Sequence, residues 1–338
     1  MFDRDFAEIL SRVTPSLHKL EGAHLMITGA AGFIGSYLMD FMAYANANYF
    51  AQPCHVLGVD NWAAASRKPA LAEHIAFVAS VEVADYDYCI HAASIASPKY
   101  YLAKPLETLN ANVGLTERIL RQVTAWGSHN ASPVKRLLYL SSCEIYGDPT
   151  VVPTPETYRG NVSTTSPRAV YDESKRYAET LCMTYHRQHG VPVVIARPFN
   201  IYGPGEALDD GRLVPQLMKS ALTGCPFTIY GDGLSTRSVC YISDAVVQLL
   251  ALLLDGRLGE AYNVGDGESE FSIGAFADIG RTMFPDLKVE YVFNHETLVD
   301  APTRRRPDTT KILSIAKAPI VELAEGLRRT YDYYKGQE

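Results

Sequence analysis

His24-Leu-Met-Ile-Thr-Gly-Ala-Ala-Gly-Phe-Ile-Gly35 decides how the first part of this chain folds. An apolar strand runs into three glycines, and a helix opens behind them. Each glycine answers a separate demand: a tight turn at Gly29, close backbone approach to a pyrophosphate at Gly32, and close helix packing at Gly35. The helix start, with Phe33 and Ile34 in its first turn, offers free N–H groups and a partial positive charge to phosphates. The next strand, His55-Val-Leu-Gly-Val-Asp60, ends in a carboxylate placed to accept hydrogen bonds from adenosine ribose hydroxyls. That carboxylate would repel a 2′-phosphate, so NAD is expected over NADP. The interval from Gly35 to Asp60 is long, and the excess is assigned to a loop over residues 43–54.

Outward from this stretch, strands and helices alternate. Apolar runs at 75–80, 86–94, 134–142 and 192–198 predict strands, and residues 33–42, 106–124 and 171–189 predict helices. That rhythm predicts an α/β fold, a Rossmann doubly wound parallel sheet covered on both faces. After Asn200 the pattern changes to Gly-rich loops and short elements, as expected of a smaller C-terminal α+β substrate domain. The expected division is an N-terminal helical extension over 1–22, with Phe6, Leu10 and Val13 at helical spacing. The NAD-binding domain follows over 23–200, with 240–265 returning to it. The smaller domain takes 201–239 and 266–338.

The chain has 338 residues, 47% of them hydrophobic, enough for a large core. A net charge of −7 argues against nucleic acid as a partner. A local Arg cluster can still bind a small anion. Residues 246–254, the greasiest run, are too short to span a membrane and read as a buried helix. Six scattered cysteines form no CxxC pair and no metal-spaced cluster, so no metal is expected. Reduced thiols and the lack of a signal-peptide core at the N-terminus point to a cytoplasmic protein with no membrane partner.

Tyr171-Asp-Glu-Ser-Lys175 places a phenol and an ammonium four residues apart on one helix face. A phenol with an ordinary pKa of ~10 is a poor base at neutral pH. A nearby ammonium and a positive nicotinamide ring favour the phenolate. Tyr171 then takes the proton from a substrate hydroxyl while hydride leaves for NAD. Lys175 also holds the nicotinamide ribose.

The glycine-rich GAAGFIG, Asp60, the HAAS segment (91–94), LSSCEIYG (140–147), YDESK and ARPFNIYGP (196–204) together resemble the extended short-chain dehydrogenase/reductase family. The likeness runs from residue 23 to nearly the end of the chain. It implies bound NAD held by Gly29, Gly32, Phe33, Ile34, Gly35, Asp60, Asn61, Ala92, Ala93, Ser94, Asn112, Tyr171, Lys175 and Pro198. It also implies an NDP-sugar substrate, expected to be UDP-linked, and a homodimer formed through the helices at 106–124 and 171–189. ASPKYY (96–101), EIYGDP (144–149), residues 166–180, DDGRLVPQ (209–216) and TRRRPD (303–308) resemble the UDP-glucuronate decarboxylase branch. That resemblance puts Ser142 at the sugar O4 and Glu144 against the sugar. Tyr101 and Arg305 fall at the uronate, and Asn200, Arg212 and Arg237 at the nucleotide and diphosphate, with Tyr230 among the substrate-binding positions.

Two residues depart from that branch. Cys143 stands where decarboxylases usually carry Ser, and Asn110 where they tend to carry Lys. A protonated Cys143 thiol beside Glu144 provides an acid next to a base, which elimination of water requires. The sequence therefore leaves open a decarboxylase, an NDP-hexose 4,6- or 5,6-dehydratase using Cys143 and Glu144, an NDP-sugar 4-epimerase, and a non-catalytic NAD-binding regulator. The intact Tyr171/Lys175/Ser142 set counts against the last. His91 reads as a structural residue at a strand end. Arg212 has Asp209 and Asp210 as nearby partners.

Overall fold

The computed structural model describes residues 2–62, 73–81, 85–128, 134–293 and 301–336. The outermost limits expected for the terminal units, residues 1 and 338, lie outside these. Seven strands form one parallel sheet. Across it they run Ala261–Val264, Val193–Pro198, Arg136–Leu140, Tyr88–His91, His24–Thr28, His55–Val59 and Ile75–Val78. Strand order reverses between His24–Thr28 and Tyr88–His91. That reversal opens a crevice beyond their carboxyl ends, where doubly wound sheets bind ligands. The central strands are short and almost wholly buried, as a sheet covered on both faces requires, while the edge strand Ile75–Val78 is buried only at Ile75.

The helix after the glycines runs Phe33–Asn48, six residues beyond the expected Met42. The extra length before Asp60 is thus mostly helix. Ala43, Ala45 and Ala47 favour helix, and Ala45 packs in the core. The expected helix over 106–124 is instead three pieces: Pro105–Leu109, a π-helical turn Asn110–Gly114, and Leu115–Ser128. Such turns recur at functional sites, and this one turns Asn112 fully inward.

Past Asn200, short strands among the described residues make three small sheets. Ile201–Tyr202 pairs with Cys240–Tyr241, and Phe227–Tyr230 pairs with Val289–Val292. Thr236–Ser238 lies between Glu270–Ser272 and Arg304–Arg305. The helix Ile242–Asp255 is buried from Ile242 to Leu254, as its composition predicts. Its one amide, Gln248, is satisfied by both backbone groups of Gly265, at 2.9 and 2.8 Å. Among the described residues no helix is long and apolar enough to cross a membrane.

The N-terminal helix, Asp3–Leu17, packs on Ile242–Asp255 through Phe6, Ile9, Val13 and Leu17. The buried stripe runs through Ile9 and leaves the expected Leu10 half-exposed. Each such side chain contributes roughly 1.5–3 kcal/mol when removed from water. Buried Asp5 adds a polar anchor. It accepts hydrogen bonds from Tyr37 Oη (2.9 Å), Tyr241 Oη (2.7 Å) and Arg329 Nη1 (2.6 Å). These donors come from the helix behind the glycines, from a small strand and from the last helix, Leu323–Lys335. Asp5→Ala leaves two buried hydroxyls without an acceptor and removes one carboxylate from Arg329. It should lower unfolding stability by about 3 kcal/mol, read as a lower urea midpoint.

Candidate active site

The glycine loop has no room for side chains. Gly29 adopts φ +70°, and a Cβ there would lie 2.7 Å from the backbone of Ala92 and Ala93. A Cβ on Gly35 would lie 2.1 Å from the Gly29 carbonyl oxygen, and one on Gly32 3.1 Å from it. Gly32 caps the helix, leaving the first-turn N–H groups facing the crevice. Asp60 sits at the strand tip, and its carboxylate accepts from Ala31 N (2.9 Å) and Trp62 N (2.7 Å). Asn61 follows it. The residues present fit a dinucleotide: a cradle that a Cβ would fill, a free helix N-terminus, and an acid at the second strand.

A chain of hydrogen bonds joins this cradle to the Tyr171 helix, Ala169–His189. Thr28 Oγ1 meets His91 Nδ1 at 2.7 Å, and His91 Nε2 meets Thr116 Oγ1 at 2.9 Å. Burial holds the His91 pKa down to about 3, so it stays neutral, as its structural reading requires. Thr116 bonds the Asn112 carbonyl at 2.6 Å. The Asn112 side chain accepts from Ser94 (2.7 Å) and donates to Ser174 (2.8 Å). Ala92 and Ala93 donate to Thr28.

Tyr171 and Lys175 are both buried. Lys175 Nζ donates to the Leu140 carbonyl at 2.8 Å and lies 5.9 Å from the centre of the Tyr171 ring. Burial raises the Tyr171 pKa, while hydrogen bonds with Ser142 and Ser94 oppose the rise. Burial also pushes Lys175 down to about 7. The lowering expected from an ammonium together with a positive nicotinamide ring meets an opposing desolvation, the largest influence on the phenol. Tyr101 stacks on Tyr171 with ring centres 5.1 Å apart and planes 14° apart, and its buried hydroxyl has no hydrogen-bond partner among the described residues.

The turn after the fifth strand in sequence, Cys143–Tyr146, carries the next group. Ser142 Oγ accepts from Glu144 N at 3.2 Å. Glu144 takes both Nη atoms of Arg305 at 2.5 Å and Arg168 Nη2 at 2.7 Å. The two guanidinium groups outweigh desolvation and hold its carboxyl well below the usual range. Arg237 pairs in register with Arg305 on the neighbouring strand. Burial and the Arg305 charge push Arg237 down to about 10. Cys143 is buried, and its thiol rises to about 11.

The remaining candidates lie around this centre. Pro198 ends the sixth strand, and Asn200 follows at φ +39° with its amide on the Ser238 carbonyl (2.9 Å). Arg212 pairs with Asp210 (2.5 Å) and Glu206 (2.8 Å), within electrostatic reach of Tyr171. Tyr230 ends its strand, half-exposed. In the basic run, Arg304 pairs with Glu270 on the surface and only Arg305 turns inward. Sequence reading missed Arg168 and Asp172. Both fall inside the 166–180 run, one helical turn apart and flanking Tyr171. Asp172 is 5% exposed, and its Oδ1 has no hydrogen-bond partner among the described residues.

Residues 25–265 match the model of the NAD dependent epimerase/dehydratase family. UDP-glucuronic acid decarboxylase 6 of Arabidopsis thaliana is 37% identical over 90% of this chain and 86% of its own length. An epimerase from Methanothermobacter thermautotrophicus superposes with a TM-score of 0.83 at 26% identity, covering 98% of this chain and 96% of its own. UDP-glucuronic acid 4-epimerase from Bacillus cereus, solved with UDP-glucuronic acid and NAD, gives 0.77 at 25% identity over 93% of this chain and 100% of its own. A doubly wound sheet, a glycine cradle closed to side chains, and a Tyr/Lys helix at the strand ends all agree with that match: the chain belongs to the NAD-dependent epimerase/dehydratase family, and NAD is its cofactor.

Proposed function

We propose that this chain is a lyase that decarboxylates UDP-glucuronate, giving UDP-xylose or its 4-keto intermediate. The observation that carries this reading is the buried guanidinium cluster beside Tyr171. Arg168, Arg237 and Arg305 bring three positive charges against the single clamped charge of Glu144. Buried charge without compensation is costly, and burial together with the Arg305 charge pushes Arg237 down. A uronate carboxylate supplies the missing anion, whereas a neutral hexose does not. The decarboxylase relatives support the same substrate.

Each residue then has a role. Tyr171, hydrogen-bonded with Ser142, takes the proton from the sugar C4 hydroxyl. NAD, held by the glycine cradle and Asp60, would supply the acceptor for the C4 hydride and the donor that restores it. A ketone at C4 makes the uronate a β-keto acid, whose carboxylate leaves as carbon dioxide. The arginines hold that carboxylate, and Lys175 adds positive charge near Tyr171. The elimination reading is weaker. It needs Glu144 as a base, and two guanidinium groups keep that carboxylate too weakly basic. A uronate 4-epimerase is the second reading, favoured by the Bacillus cereus likeness, and it would use the same residues without releasing carbon dioxide.

We also propose that two copies pair through the helices Leu115–Ser128 and Ala169–His189, with the pieces just before Leu115. Leu106 (75%), Tyr177 (54%) and Leu102 (48%) are large apolar side chains left exposed on these elements, as expected of a surface that a second copy covers. Light scattering should give twice the 37.3 kDa chain mass, and a monomer would count against the pairing.

Incubation with UDP-glucuronate should release carbon dioxide in step with a product lighter by that loss. Unchanged mass would point to epimerisation, and loss of water to dehydration. Tyr171→Phe should keep NAD binding and lose turnover by at least about 100-fold; full activity would overturn the mechanism. Arg305→Ala should weaken UDP-glucuronate far more than UDP-glucose in a binding titration. Equal losses would remove its carboxylate role.

A further inference from the structure

Three buried polar atoms around Glu144 lack hydrogen-bond partners among the described residues: Tyr101 Oη, Arg305 Nε and Asp172 Oδ1. Buried polar atoms are ordinarily paired, so three in one cluster mark a place that a polar ligand completes. Tyr101 stacks on the Tyr171 ring, and Arg305 holds the carboxylate in the reading above. Asp172 has no part in that reading. It follows Tyr171 directly in the first turn of the helix and stands one turn from Arg168, which holds Glu144.

The sugar itself locates the need. In the proposed reaction C4 lies at Tyr171 and the departing C6 carboxylate at Arg168 and Arg305. C5 is bonded to both carbons, so it lies between those groups. Loss of carbon dioxide leaves an enolate over C4 and C5, and C5 must gain a proton. Glu144 cannot give one, because its carboxyl stays ionised. Tyr171 is engaged at C4.

We propose that Asp172 is the acid that protonates C5. Its O–H bond breaks and a C5–H bond forms. The electron pair stays on the carboxylate, the C4 ketone re-forms, and solvent restores the proton to Asp172. The assignment rests on the decarboxylase reading. The charge pattern supports it. Glu144 and Glu173 disfavour ionisation of Asp172 and Arg168 and Arg305 favour it, with the Tyr101 phenol also close. Burial, the largest influence, tips the balance toward the neutral acid and raises its pKa. An acid of raised pKa is protonated at low pH and loses its proton as pH rises.

The test is turnover of UDP-glucuronate in deuterium oxide, with Asp172→Asn and Asp172→Glu beside the unaltered enzyme. The unaltered enzyme should place deuterium in one of the two C5 positions. Asp172→Asn should still release carbon dioxide in a single turnover, form the final product about 100-fold more slowly, and scatter deuterium over both positions. Its rate should lack the decline with rising pH seen in the unaltered enzyme. Asp172→Glu, which keeps a carboxyl, should restore the single position. Single-position labelling by Asp172→Asn, or loss of carbon dioxide release in both variants, would overturn the assignment. If the unaltered enzyme releases no carbon dioxide, the decarboxylase reading itself fails and takes the assignment with it.

Discussion

The ion cluster of Glu144 with Arg305 and Arg168 is the constraint on which the geometry of the site depends. Three separate pieces of chain supply it: the turn after a central strand, the start of the Tyr171 helix, and a short strand late in the sequence. None of the three charges is well solvated, since their side chains are 17%, 6% and 16% exposed. Removing any one leaves the others buried and unmatched, a cost of several kcal/mol. The cluster therefore fixes more than itself. Ser142 is two residues from Glu144 and Tyr171 three from Arg168, so the ion pairs set where the hydroxyl and the phenol meet.

Much of this was legible because it is imposed on the backbone. A glycine whose Cβ would collide with Ala92 or with the Gly29 carbonyl can be nothing else, and the spacing survives as a readable pattern. Tyr171 and Lys175 were legible because four residues is one helical turn. Arg168 and Asp172 were not. A charged residue inside a helix reads as a solvated face until its partner is known, and Arg168 finds its partner 24 residues away in another element. The helical run to Asn48 was hidden by Asn and Tyr, which read locally as loop, although Ala45 is drawn into the core.

The phenol shows the other limit of sequence reading. Spacing announces that an ammonium is near a phenol, but not how dry the site is. Here burial moves both groups toward neutrality, raising one pKa and lowering the other. In the proposed reaction a nicotinamide bound nearby would add positive charge that favours the phenolate.

The same arginines account for two acids of opposite character side by side. Coulomb attraction falls with distance, and the fork from Arg305 and the single bond from Arg168 go to Glu144. Asp172 receives the remainder, together with repulsion from Glu144 and the full penalty of burial. One carboxyl is thereby fixed as an anion and the other raised toward the neutral form. Environments that push paired acids apart in this way separate their chemical roles. Glu144 can hold guanidinium groups in place but cannot donate a proton, whereas Asp172 can donate one but is a poor anchor for charge.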